Sequence, residues 1–236
     1  MNKHILAKMV IERLQQETSL IECPLPEQIK TITTDHLKGR VHIESALYQA
    51  DKLKKISISN RVMGTNNAGT VVMIIADDAY DLPFILMDIA IDAAGSGSIT
   101  AGFKIRPLVA DAISTQKYIR PFSAWLDGIK TLPAAPVHLD VGSYLKDNPA
   151  PLDYRGTVGL DHNQKLLAYT NQFIDILLDI YHTLQPVEDA YRRTQMDAFR
   201  QEYNRNILGT DYSGKMLVQA FGQQTAEIFY EHLVYL

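Results

Sequence analysis

The sequence predicts an α/β protein in which one antiparallel sheet is covered by helices from both chain ends. Two observations carry that expectation. Short apolar strands separated by turns follow one another between residues 41 and 105, with no helix-period segment between them. Helix-period segments lie instead before residue 18 and after residue 162. Strands that succeed one another through turns pair antiparallel, whereas βαβ units would interleave helices with strands.

Residues Asn2 to Glu17 place Ile5, Leu6, Met9, Val10, Ile11 and Leu14 on one helical face. Pro24 and Pro26 mark a loop. Val41 to Tyr48 alternates as a strand, and Leu53 to Met63 alternates Ile56 and Ile58 with Ser57 and Ser59. Asn66-Asn67-Ala68-Gly69 has the residues of a turn, and Thr70 to Ile75 follows as an apolar strand, so the two strands read as a hairpin. Leu82 to Ile91 stays apolar, Ala93 to Ser98 is a turn, and Ile99 to Ile105 is a further strand closed by Arg106-Pro107.

The middle, Leu108 to Arg155, is poorly periodic and holds Pro121, Pro133, Pro136, Pro149 and Pro151. A short helix around Val109 to Lys117 and long loops are expected there. Asn163 to Leu184 then carries Leu166, Phe173, Ile174, Leu177 and Tyr181 at helical spacing. Val187 to Asn206 reads as a more polar helix. Ser213 is placed to cap a last helix through Phe221, with Gly222 as a break and Thr225 to Tyr235 beyond it.

The chain has 236 residues, 46% of them apolar, which is ample for a sizeable core and is read as one domain over residues 1–236. No apolar run reaches the roughly 18 residues of a membrane span. Lys8 and Glu12 interrupt the N-terminal segment, which lacks the apolar stretch of a secretory signal, so a cytoplasmic protein is expected. Cys23 is the one cysteine, which excludes an intrachain disulfide and an all-cysteine iron–sulfur cluster or zinc site within one chain. Redox chemistry, if present, would draw its electrons from a partner. The net charge of −4 argues against a broadly basic nucleic-acid binder, while a local basic patch could dock an acidic partner.

Two stretches fit one known pattern. The first contains LYQADKLKKISIS, YDLPFILMDIA and AGFKIRPL; the second is the tail from Glu202 to Leu236, EYNRNILGTDYSGKMLVQAFGQQTAEIFYEHLVYL. The most specific pieces are Tyr80-Asp81-Leu82-Pro83 with Asp88 five residues on, and Ala220-Phe221-Gly222. Together they resemble the ferredoxin-dependent bilin reductases, enzymes that add electrons and protons to open-chain tetrapyrroles without a bound cofactor of their own. The resemblance implies a three-layer α/β/α sandwich with a central antiparallel sheet. It implies a biliverdin-like bilin as substrate and reduced ferredoxin as external electron donor. A monomer that engages neither nucleic acid nor membrane is expected.

The same resemblance frames the candidate residues. A family helix reading roughly N-D-K-T, then apolar residues, then A-F-G matches Thr210-Asp211-Tyr212-Ser213 to Gly222, so the family's C-terminal acid is kept as Asp211. The family commonly places another acid in an I-D-x-x-P strand, where this chain reads Phe103-Lys104-Ile105-Arg106-Pro107 with a lysine at or beside the acid's place. The strand Thr70 to Ile75 offers no histidine or carboxylate, unlike phycocyanobilin-forming members. Asp88 lies in an apolar run, where a charge needs a partner, and the resemblance implies a structural role for it. Loss of the strand acid also motivates an alternative: a protein of this fold that binds a tetrapyrrole without reducing it.

Each candidate has two readings. Asp211 is either a proton donor to the bilin or the polar start of the last helix. Lys104 and Arg106 either reach a ligand carboxylate or face solvent. His138, in the proline-rich middle, is the histidine to test for the pocket. The others are His4, His36, His42, His162, His182 and His232. No two histidines stand in H-x-x-x-H or H-E-x-x-H spacing, and no metal is expected. Gly95-Ser96-Gly97 is not G-x-G-x-x-G, and no serine sits in G-x-S-x-G. Asp77 and Asp78 read as solvated loop acids. Tyr118, Phe122 and Trp125 either line a pocket or pack in the core.

Overall fold

The computed structural model describes residues 4–35, 40–64, 67–92, 97–139 and 141–236. Helix α1 covers Ile5–Glu17 and packs Leu6, Val10 and Leu14 inward. Strand β1 (Ile21–Cys23), helix α2 (Glu27–Lys30) and strand β2 (Thr31–Thr34) follow, with Pro24 and Pro26 in the expected loop between β1 and α2. The long strands follow: β3 (Val41–Ala50), β4 (Leu53–Met63), β5 (Asn67–Ile75), β6 (Phe84–Asp92) and β7 (Ser98–Arg106). Asn67, Ala68 and Gly69 lie inside β5 rather than in a turn; Asn67 pairs with Met63. His36, Asn66 and Gly95-Ser96 fall outside the described residues, as do Asn2 and most of the Ala93–Ser98 segment.

The middle region is more structured than its sequence suggests. Helix α3 (Ala112–Ser114) runs through a π turn and a 3-10 turn into α4 (Ser123–Ile129). Strand β8 (Ala135–Pro136), helix α5 (Ser143–Asp147) and strand β9 (Leu152–Gly159) follow. The tail is helical: α6 (Asn163–Thr183), α7 (Ala190–Thr210), α8 (Tyr212–Phe221) and α9 (Gln223–Leu233).

Among the described residues the strands form one antiparallel sheet in the order β1-β3-β4-β5-β6-β7-β9-β8, with β2 also paired to β3. Helices cover both faces, as the α/β/α expectation requires. On one face Ile58, Val72, Met87 and Phe103 meet Leu6 of α1, Trp125 of α4 and Phe173 of α6. Tyr118, Phe122 and Trp125 belong to this core and not to a pocket. On the other face Ile43, Ile75 and Phe84 join Met196, Tyr203 and Ile207 of α7, Leu217 of α8 and Phe229 of α9. A strand buried on both faces needs apolar residues at odd and even positions alike. That is why β6 reads as the run FILMDIAID rather than as an alternation.

The entry into β6 is pinned by a buried ion-pair network. Asp81 is 5% exposed and accepts hydrogen bonds from the Tyr118 hydroxyl, Lys117 Nζ (3.1 Å) and Arg192 Nε (2.9 Å). Arg192 also donates to Asp111 (2.6 Å) and Ser114 Oγ (2.8 Å), so it ties α7 to the α3 turn. Burial alone would raise the pKa of Asp81, but the Tyr118 hydrogen bond, Lys117 and Arg192 outweigh it and hold the carboxyl below its ordinary range. Asp78 is exposed, but it is not simply solvated: Lys54 reaches it at 2.6 Å and Arg200 at 3.6 Å.

Candidate functional site

A cleft of about 440 Å³ opens between the second face of the sheet and the C-terminal helices. That size falls in the range of small-molecule sites, which are mostly apolar with a few placed polar groups.

The register of the strands builds its floor. Side chains alternate across a sheet, so residues directly opposite one another on neighbouring strands share a face. One rung runs Ser59, Val71, Asp88, Gly102, Arg155 across β4, β5, β6, β7 and β9. The next runs Met73, Leu86, Lys104, Asp153. All of these residues line the cleft.

Asp88 sits near the middle of the floor and is 6% exposed. A charge buried to that degree must be paired. Arg61 of β4 donates to its Oδ1 at 2.6 Å, and Arg155 of β9 donates to its Oδ2 at 3.0 Å. Arg155 crosses the position of Gly102, where an added Cβ would stand 3.1 Å from its Nε. Asp88 therefore has the ion-pair partners a structural role requires, and it also faces the cleft, which the purely structural reading missed.

Lys104 projects toward the cleft and pairs with Asp153 Oδ2 at 3.0 Å. Arg106 is 5% exposed, lines the cleft and donates to the Asn148 carbonyl, so it also braces the loop after α5. His138 lies exposed at the edge formed by residues 136–139.

The roof comes from Ser213, Met216 and Leu217 of α8, with Phe229, Tyr230 and Val234 at and beyond α9. Asp211 stands at the corner where α7 ends and α8 begins, at φ −74 and ψ 140. Its side chain makes no cap hydrogen bond. Instead Oδ2 accepts the Tyr230 hydroxyl at 2.7 Å. The capping position thus belongs to Asp211 rather than to Ser213, which lies within α8, and the carboxylate is committed to the cleft side. Burial, and then the charge of Asp211, push the Tyr230 phenol well above its ordinary range; the same two causes raise Tyr203. Tyr230 keeps its proton and acts as a donor. Gly214 makes room for it: a Cβ there would lie 2.8 Å from the Tyr230 hydroxyl and 2.3 Å from the Leu208 carbonyl.

The cleft brings Asp211, Lys104, Arg106 and His138 to one concavity. Sequence reasoning passed over Arg61, Asp153, Arg155 and Tyr230. The signal for Asp153 and Arg155 was present, because Leu152, Tyr154 and Val158 alternate with Asp153, Arg155 and Thr157. Among the described residues no group of three or more His, Cys, Asp or Glu is placed to hold a metal ion. No described helix is long and apolar enough to cross a membrane.

Comparison with known proteins gives this geometry its context. No curated protein matches the chain in sequence. Among solved structures, phytochromobilin synthase from tomato, determined in complex with biliverdin, superposes with a TM-score of 0.75 at 13% identity, covering 95% of this chain and 79% of that one. At that identity the match speaks for the fold. A family model described as ferredoxin-dependent bilin reductase matches residues 7–235. The chain belongs to the ferredoxin-dependent bilin reductase family.

Proposed function

We propose that this chain reduces a linear tetrapyrrole of the biliverdin class, taking electrons one at a time from reduced ferredoxin, with Asp211 as a proton donor. The observation that carries the reading is the cleft itself, with carboxylates on two sides: Asp88 on the floor and Asp211 at the corner of the roof. A bilin offers matching groups. Its pyrrole N–H groups are donors, its lactam oxygens are acceptors, and its propionates are anions. Asp88 accepts N–H groups from the rings lying on the floor. Lys104 and Arg106 supply positive charge for the propionates.

Reduction of one double bond consumes two electrons and two protons. Ferredoxin supplies both electrons, and Asp211 delivers one proton to the ring system and, once reprotonated from water, the second. Asp211 is then left as a carboxylate beside the Tyr230 hydroxyl, whose hydrogen bond strengthens as the negative charge develops. Partial exposure of Asp211 lets water restore its proton for the next step. A second reading, binding without reduction, draws on Lys104 standing at or beside the place where the family commonly has an acid.

The test is to mix the protein with biliverdin, record the absorption, and then add reduced ferredoxin. A spectral shift followed by bleaching is expected. Asp211→Asn is expected to keep the shift and lose the bleaching. No shift with the wild type overturns the tetrapyrrole reading, a shift without bleaching favours the binding protein, and unaltered turnover in Asp211→Asn removes the proton-donor assignment.

A further inference from the structure

We infer that Arg61 and Arg155 are positioning residues for the Asp88 carboxylate, clamping one oxygen each so that it presents a fixed acceptor to the ligand. The inference rests on the bilin-reductase reading of the cleft. Its basis is the arrangement on the floor. The two guanidinium groups come from strands on opposite sides of β6 and take different oxygens, at 2.6 and 3.0 Å. A carboxylate free to turn about its last torsion has a broad two-fold preference. Two charge-assisted bonds from opposite flanks remove that freedom.

A carboxylate has about four lone-pair sites. The two arginines occupy two, which leaves acceptor capacity on each oxygen for an N–H group above the floor. Fixing an acceptor before the ligand arrives is the preorganisation that makes such a group effective. The path of Arg155 over Gly102 adds to the case. The rung that carries Asp88 has a glycine at the one position that lets Arg155 reach it. The remaining charged or titratable groups of the cleft are engaged elsewhere or lie at its rim: Lys104 on Asp153, Arg106 on the Asn148 carbonyl, Asp211 on Tyr230, and His138 at the edge.

If the arginines act through Asp88, their effects must vanish when Asp88 can no longer be clamped. The experiment is a double-mutant cycle of Arg155→Gln and Asp88→Asn, with Arg155→Lys as the conservative variant. Ferredoxin-driven reduction of biliverdin is measured as kcat and KM, together with the absorption spectrum of the bound pigment. Arg155→Gln is expected to lower kcat about tenfold with KM within about twofold, the pattern of a lost transition-state interaction. It is also expected to shift the bound spectrum. Arg155→Lys recovers part of the rate, and Arg155→Gln costs nothing further in the Asp88→Asn background.

A rise in KM with kcat unchanged would instead place Arg155 on the ligand and overturn the inference. So would a full Arg155→Gln effect that persists beside Asp88→Asn. If Arg155→Gln does not fold, Gly102→Ala tests the same contact by displacing the guanidinium, and an unchanged kcat and bound spectrum there count against the clamp. The wild-type control separates the two failures. If the wild type binds biliverdin without reducing it, the reductase reading fails, and the bound spectra of the four proteins still decide on the clamp. If the wild type does not bind, a cycle of unfolding free energies without ligand decides: absence of coupling between residues 88 and 155 overturns the pairing.

Discussion

The Tyr230 hydroxyl, on α9, donates to Asp211 Oδ2 at 2.7 Å across the break between the last two helices. This bond joins the roof of the cleft to the acid at its corner. It also explains why Asp211 occupies a helix start without capping it.

Tyr230→Phe removes this hydrogen bond, and with it the support that the proposed proton donor would have after giving up its proton. Bilin binding should persist, while kcat falls about tenfold, less than the roughly 10²–10³ lost with a donor in a water-excluded site because Asp211 is partly exposed. Stability should drop by about 1 kcal/mol for the lost hydrogen bond. Steady-state kinetics and thermal unfolding measure the two effects separately.

Gly214→Ala should act on the same pair from behind. Its Cβ would meet a backbone carbonyl, that of Leu208, as well as the Tyr230 hydroxyl, so α8 must shift. Overpacking of this kind costs about 1–3 kcal/mol. The expected result is a lower Tm together with a loss of turnover like that of Tyr230→Phe. Wild-type stability and rate in this variant would contradict the contact.

Asp153→Asn should tighten binding of a dicarboxylate bilin. Lys104 is held by Asp153 at 3.0 Å, and the substitution frees the ammonium while removing a negative charge from the cleft. A partly exposed pair of this sort is worth about 0.2–1 kcal/mol, so a gain of up to about fivefold in affinity is expected, shrinking at high salt. Titration of biliverdin at two ionic strengths measures it.

Asp81→Asn should destabilise the fold by about 3 kcal/mol at neutral pH, since it breaks a buried network around Arg192. The carboxyl of Asp81 is held below its ordinary value in the folded protein, so its stabilising contribution is present above the unfolded value of about 3.9. That contribution is lost as pH falls through the folded value, which lies lower. Unfolding curves of the two proteins should therefore converge below about pH 3.9. A gap that stays constant into strong acid would contradict the network.

Much of this architecture was legible because period-two patterning survives wherever a strand has unlike faces. Leu53–Met63 has the same limits in sequence and structure, since Ile56 and Ile58 alternate with serines. Strand β9 escaped notice for a local reason. Pro149 and Pro151 precede it and Gly156 interrupts it, so its alternation reads as loop. With β9 went Asp153 and Arg155, and with Arg155 went the pairing that lets Asp88 face a cleft. The Asp211–Tyr230 bond spans 19 residues and depends on how α9 folds back on α8, which no local pattern encodes.

The register of β4 to β7 also bears on how such a protein can diversify. Positions 59, 71, 73, 86 and 88 face the cleft, while positions 58, 72, 74, 85 and 87 between them are sealed into the opposite core. Selectivity and foldability are thus written on alternate letters of the same strands. A lineage could retune the pigment it accepts by exchanging one set, with the other left untouched to hold the scaffold.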